Sequence, residues 1–129
     1  HREREQRALM AYDDSNIFAR ILRDEVPADK VYEDEHVLAF HDVAHLTPVH
    51  VLVVPKGRYA DMTAFTKEAS PAEAAAVFAA IKAIVDQHDI AEGGYRVVSN
   101  CGEHGGQEVP HLHFHVMGGR QLGGMRRSS

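Results

Sequence analysis

"HLHFHVM", residues His111–Met117, sets three histidines on alternate positions with one apolar residue between each pair. Along an extended chain successive side chains point to opposite faces. His111, His113 and His115 therefore share one face of a strand, and Leu112, Phe114 and Val116 share the other, suited to packing beneath a helix. Neighbouring imidazoles stand roughly 6.5–7 Å apart on such a strand. One zinc ion needs ligand nitrogens about 2 Å away in a tetrahedron. Two imidazoles spaced i, i+2 can meet that requirement; three on one extended strand cannot easily do so, and no CxxC or HExxH pattern supplies further ligands. A metal clip, a histidine-rich structural strand and a catalytic face all remain open at this point.

The residues just upstream, "CGEHGGQEV", add Gly102, Gly105 and Gly106. Glycines let backbone N–H groups approach an anion and form a concave nest for phosphoryl oxygens. Placed directly before a row of imidazoles, such a loop favours phosphate chemistry, because histidine can serve as nucleophile, proton donor or orienting group.

Further out, "DDSNIFARILRDEV" reads as a short helix with Ser15 as N-cap, an apolar stripe at Ile17, Phe18, Ile21 and Leu22, and Pro27 as its stop. "VYEDE" and "HVLAFHD" read as two strands joined by an acidic turn at Asp34 and Glu35, and "VHVLVVP", Val49–Pro55, as a third. "SPAEAAAVFAAIKAIVDQH" is a long helix. Ser70 and Glu73 form its capping box, Pro71 opens it, and Val77, Phe78, Ile81, Ile84 and Val85 make its buried stripe. "YRVVSN" and the histidine stretch complete five strands. Pro110 cannot donate to a ladder, so the last strand begins at or after it. The pattern predicts an α+β domain with a mainly antiparallel five-stranded sheet and two main helices.

The 129 residues suffice for one domain with a real core. A formal net charge of −5 argues against broad attraction to nucleic acid or an anionic membrane, so any phosphate must be held locally. The single cysteine, Cys101, fits a reducing compartment, and no apolar run is long enough to span a bilayer. Residues 1–14 read as a leader, with Met10 a candidate start, residues 15–125 as the domain and 126–129 as a tail. The whole reads as cytoplasmic.

"HLHFHVM" matches the alternating signature of the histidine triad (HIT) superfamily, and "NCGEHGGQEVPHLHFHVMGGRQLG" resembles its Hint branch, bacterial members above all. "NIFARILRDEVPADKVYEDEHVLAFHDV" resembles that family's opening helix and first two strands, and "TPVHVLVVPK" its third; the likeness covers about residues 16–125. The resemblance implies a purine nucleoside phosphoramidase. Such an enzyme cleaves the P–N bond of purine nucleoside 5′-phosphoramidates, and aminoacyl-adenylates, through a nucleotidyl-histidine. It implies His113 as the nucleophile, His115 and His50 on phosphate oxygens, and His111 behind His113, holding its tautomer. Asn100, with Gly106, Gln107, Glu108 and Val109, would complete the phosphate and leaving-group pocket. Asp42 would accept the ribose hydroxyls, and Ile17, Phe18, Ile21, Phe40, His41 and Val43 would line the base pocket. Glu108 stands where the leaving amine's proton must come from. The resemblance further implies a homodimer, no cofactor and no metal. Dinucleoside polyphosphate hydrolysis is the rival enzyme reading, disfavoured by "GGR" after the triad. A nucleotide- or zinc-binding module without turnover is the rival from another class.

Overall fold

The computed structural model describes residues 12–125. The leader expectation for residues 1–11 and the tail expectation for 126–129 lie outside the described residues. The element order is α1 (Ile17–Leu22), β1 (Lys30–Glu33), β2 (Val37–His41), β3 (Val49–Pro55), α2 (Met62–Glu68), α3 (Pro71–Gln87), β4 (Tyr95–Val98) and β5 (Phe114–Gly118). The strands form one sheet in the order β1-β2-β3-β5-β4, every neighbouring pair antiparallel. This is the expected α+β architecture. The last strand inserts between β3 and β4, so it lies inside the sheet.

Side-chain alternation gives the sheet two buried faces. Val37, Ala39, Val51, Val53, Phe114 and Val116 face α3, where they meet Val77, Ala80, Ile81, Ile84 and Val85. Leu38, Phe40, Leu52 and Val54 face the other way and pack on Phe18 and Ile21 of α1. A central strand covered on both faces needs apolar residues at consecutive positions, which is why β3 reads as a nearly unbroken apolar run. Among the described residues, no helix is long and apolar enough to cross a membrane.

Both long-helix start signals are present: the Ser70 hydroxyl accepts from Glu73 N–H at 3.1 Å, and Glu73 accepts from Ser70 N–H at 2.9 Å. Phe78 departs from the expected stripe, being 71% exposed. The α3 face toward the sheet is completed instead by Ala76 and Ala80, whose small side chains let the helix approach closely, and Phe78 falls one step of rotation beyond it. The cap of α1 is Asn16, whose side chain accepts from Ala19 N–H at 2.8 Å; Ser15 bonds back to Asp13. A left-handed Asp24 (φ 62°) follows the Arg23 C-cap, so α1 stops well before Pro27. Helix α2, capped by Asp61, has no counterpart in the sequence reading, because it buries one side chain, Phe65, and shows no apolar period.

The histidine stretch is strand only from Phe114 onward. Pro110 has no N–H, His111 N–H turns back to Val109 O at 2.9 Å, and Leu112 N–H goes to Tyr59 O at 2.8 Å. Those amides are satisfied by loops, so the β3–β5 ladder ends at the Val53–Phe114 pair. The alternation of faces nevertheless continues upstream, with Leu112 in the α3-side core.

Candidate active site

The site lies on the sheet face opposite α3. β5 carries His113 just before its start and His115 within it. β3 brings His50 beside them, and the β2 end brings Asp42, whose N–H bonds to His50 O at 2.9 Å. α1 covers the nucleophile candidate, with the Phe18 ring edge-on to His113 at 4.8 Å between centroids.

Hydrogen-bond partners assign the proton on each of the four imidazoles. His50 Nδ1 accepts from Leu46 N–H at 3.2 Å, so its Nε2 carries the proton. That Nε2–H faces His115 Nδ1 at 2.9 Å, with Asp42 Oδ2 at 3.3 Å as a second acceptor. His115 therefore keeps its proton on Nε2 and is a donor toward the site. His113 Nδ1–H donates to the main-chain oxygen of His111 at 2.8 Å, which leaves His113 Nε2 as a bare lone pair with no protein partner among the described residues. His111 Nε2–H donates to Pro55 O at 2.8 Å, and its Nδ1 lies 2.6 Å from the Tyr12 hydroxyl. The orienting group behind His113 is thus the carbonyl of His111; its imidazole is clamped elsewhere. The result is one bare nitrogen next to one N–H donor, with His113 and His115 rings 5.2 Å apart.

Burial keeps these rings neutral. It pushes His111 down to about 4, and burial with His113 and His50 nearby pushes His115 down to about 4. His113 and His50 are lowered as well, burial again the main cause. A histidine harder to protonate when folded than when unfolded costs stability as pH falls, because the unfolded chain takes up the proton first. The loss runs from about pH 6.5 down to about pH 4, and fully buried His111 alone accounts for roughly 3 kcal/mol. Denaturant unfolding followed from pH 7 to pH 4 is expected to show that fall; a flat profile would mean the rings are not held neutral.

The glycine loop is closed on itself. Asn100 Nδ2 donates to Gly105 O at 2.8 Å, while Gln107 accepts from Gly102 N–H at 2.8 Å and donates to Ala60 O at 2.7 Å and Val109 O at 2.9 Å. Gln107 is thus spent on shaping the loop. Gly106 is left-handed (φ 78°), and a Cβ on Gly105 would come within 2.4 Å of Cys101 O, so both positions demand glycine. Glu108 is exposed, and Val109 packs on the α1-side cluster.

Phe18, Ile21 and Phe40 come together as the apolar floor beside the histidines, with Ile17 at its rim, 38% exposed. Val43 lies on an open loop, 94% exposed. The structure does not bring His41 to this group. Its side chain is on the α3 face, 5.5 Å from the His88 ring, as alternation from Phe40 requires.

The metal question also changes residues. Asp42, His50 and His115 are the only trio of the described residues whose ligand atoms lie within 4.8 Å of one another; His111 and His113 are not among them. A metal there would have to displace the proton between His50 and His115.

Known proteins resemble this chain along most of its length. The HIT domain profile matches residues 23–122. An uncharacterized HIT-like protein of Azospirillum brasilense is 54% identical over 114 residues, 88% of this chain and 93% of that protein. The purine nucleoside phosphoramidase of Escherichia coli is 41% identical over 112 residues, 87% of this chain and 93% of that enzyme. The solved structure of a histidine triad protein from Clostridium difficile superposes with a TM-score of 0.76 at 38% identity, covering 85% of this chain and 95% of that one.

Proposed function

The chain belongs to the HIT domain family, and from that premise we propose that it is a hydrolase of purine nucleoside 5′-phosphoramidates and aminoacyl-adenylates, working in the cytoplasm. The single observation that carries this reading is the proton pattern: His113 Nε2 is bare, and His115 Nε2–H stands beside it. In the reaction His113 Nε2 attacks the α-phosphorus, the P–N bond breaks, and the amine leaves with a proton. Water then cleaves the nucleotidyl-His113 bond and releases the nucleoside monophosphate. His115 Nε2–H stabilises charge on a non-bridging oxygen through the step, backed by His50. The low-lying pKa of His113 keeps it a free base at neutral pH. Phe18, Ile21 and Phe40 would hold the purine, Asp42 the ribose hydroxyls, and the amides of the 105–109 loop the phosphate. The departing amine takes its proton from solvent water, and Glu108, exposed on the same loop, would relay it. That the 41% identical E. coli relative is a purine nucleoside phosphoramidase supports the substrate class.

Rates on adenosine 5′-phosphoramidate and on diadenosine polyphosphate, measured side by side, test this assignment. Faster turnover of the phosphoramidate is expected; the reverse order favours polyphosphate hydrolysis.

The proposed homodimer has a physical footing in the sheet edges. β1 is guarded by a register shift between Lys30 and Tyr32 and by charged ends. β4 has no register shift and its one charge, Arg96, lies on the opposite face: Tyr95 and Val97 are 46% and 40% exposed on the side of the sheet that α3 covers, and Phe78 of α3 is open too. Val97→Arg is expected to convert the wild-type dimer into monomer in sedimentation equilibrium, whereas an unchanged mass would place the interface elsewhere.

A further inference from the structure

We propose that Tyr12, outside the α1–β5 domain core, is a positioning residue for the His113 nucleophile, acting through the buried His111 ring. This inference rests on the phosphoramidase reading for its kinetic consequence, but its structural claim stands apart from it.

His111 is wholly buried. Its Nε2 faces the Pro55 carbonyl, which can only accept, so the ring proton sits there and Nδ1 is left needing a donor. The Tyr12 hydroxyl is that donor, at 2.6 Å from a residue 99 positions away in the chain. The rings meet edge to face at 5.5 Å. Burial raises the Tyr12 phenol above its ordinary value, so it remains protonated and able to donate. Tyr12 is itself held down: the Arg58 guanidinium lies 5.2 Å over its ring, and Arg58 also pairs with Asp14 at 2.9 Å. The strap ends at the reacting group. The main-chain oxygen of the same His111 accepts from His113 Nδ1–H and fixes the orientation of its free Nε2. Removing the hydroxyl strands a buried lone pair, and the ring can satisfy it only by shifting, which carries the His111 carbonyl with it.

Tyr12→Phe keeps the ring, its packing and the guanidinium contact, and deletes only the donor. Three readouts are taken together: kcat and KM on adenosine 5′-phosphoramidate, imidazole 15N shifts of His111, and solvent exchange of the His113 Nδ1–H. The expected result is a fall in kcat of about 10- to 100-fold with KM within about twofold, a shift of His111 Nδ1 toward an unbonded lone pair, and faster His113 Nδ1–H exchange. Wild-type kcat with unchanged exchange overturns the proposal, as does a variant that merely melts earlier at full kcat. If the wild type turns over no phosphoramidate, the functional reading fails on its own, and His113 Nδ1–H exchange alone decides this one: faster supports it, unchanged overturns it. Arg58→Gln, which leaves the hydroxyl but loosens its seat, should show the same changes in smaller measure and serves as the second variant should Tyr12→Phe fail to fold.

Discussion

His113→Ala is expected to reduce release of AMP from adenosine 5′-phosphoramidate by about 10⁴-fold or more, with the fold retained. The size follows from the absence of a substitute among the four imidazoles. His115 carries its proton on the nitrogen that faces the site, and its other nitrogen is engaged by His50. His50 is tied at Nδ1 to the Leu46 amide, and both His111 nitrogens are taken. Only His113 offers a lone pair, so its loss removes the covalent route and leaves what oriented binding and the His115 donor achieve with water. His113 is nearly buried against Phe18 but lies at the edge of the sheet ladder, so circular dichroism should remain that of the wild type. A variant that keeps more than about one-hundredth of the rate would show that another group attacks.

Leu112→Ala is expected to cost about 2–5 kcal/mol of unfolding free energy and to lower activity as well. Leu112 is fully buried in the α3-side core, between the two histidines whose backbone supports the site. Truncation leaves a cavity beneath the sheet that surrounding side chains fill only in part. The neighbouring backbone is pinned by Leu112 N–H on Tyr59 O, and any relaxation into the cavity pulls on both His111 O and His113. Denaturant midpoints give the first effect and kcat the second. A loss below about 1 kcal/mol would mean that Leu112 is not the anchor of the triad.

Much of this was legible in the residues because local physics determines it. The Ser70–Glu73 capping box, the acidic turn before β2 and the alternation of "HLHFH" each depend on neighbours within a few positions. The missed features depend on partners far off in the chain. Nothing near His111 announces a tyrosine 99 residues earlier, and by position alone Tyr12 reads as leader. The hydrogen-bond chain from Leu46 through His50 to His115 needs the β3–β5 register, which sets His50 opposite Met117 and beside His115. The face of His41 was readable: with Phe40 packed on α1, a period of two sends His41 to the α3 side. Phe78 reads as core by its apolar character, but in this alanine-rich helix the alanines Ala76 and Ala80 make the contact and Phe78 stays exposed.

The central claim is that His113 Nε2 becomes covalently attached to the nucleotide. Rapid quenching of the enzyme with an adenosine 5′-phosphoramidate, followed by peptide mass mapping under conditions that preserve an acid-labile P–N bond, tests it directly. An added adenylyl mass is expected on the peptide holding residues 111–117, localised to His113. An adduct on His50, His111 or His115, or turnover with no trapped adduct at any quench time, would contradict it.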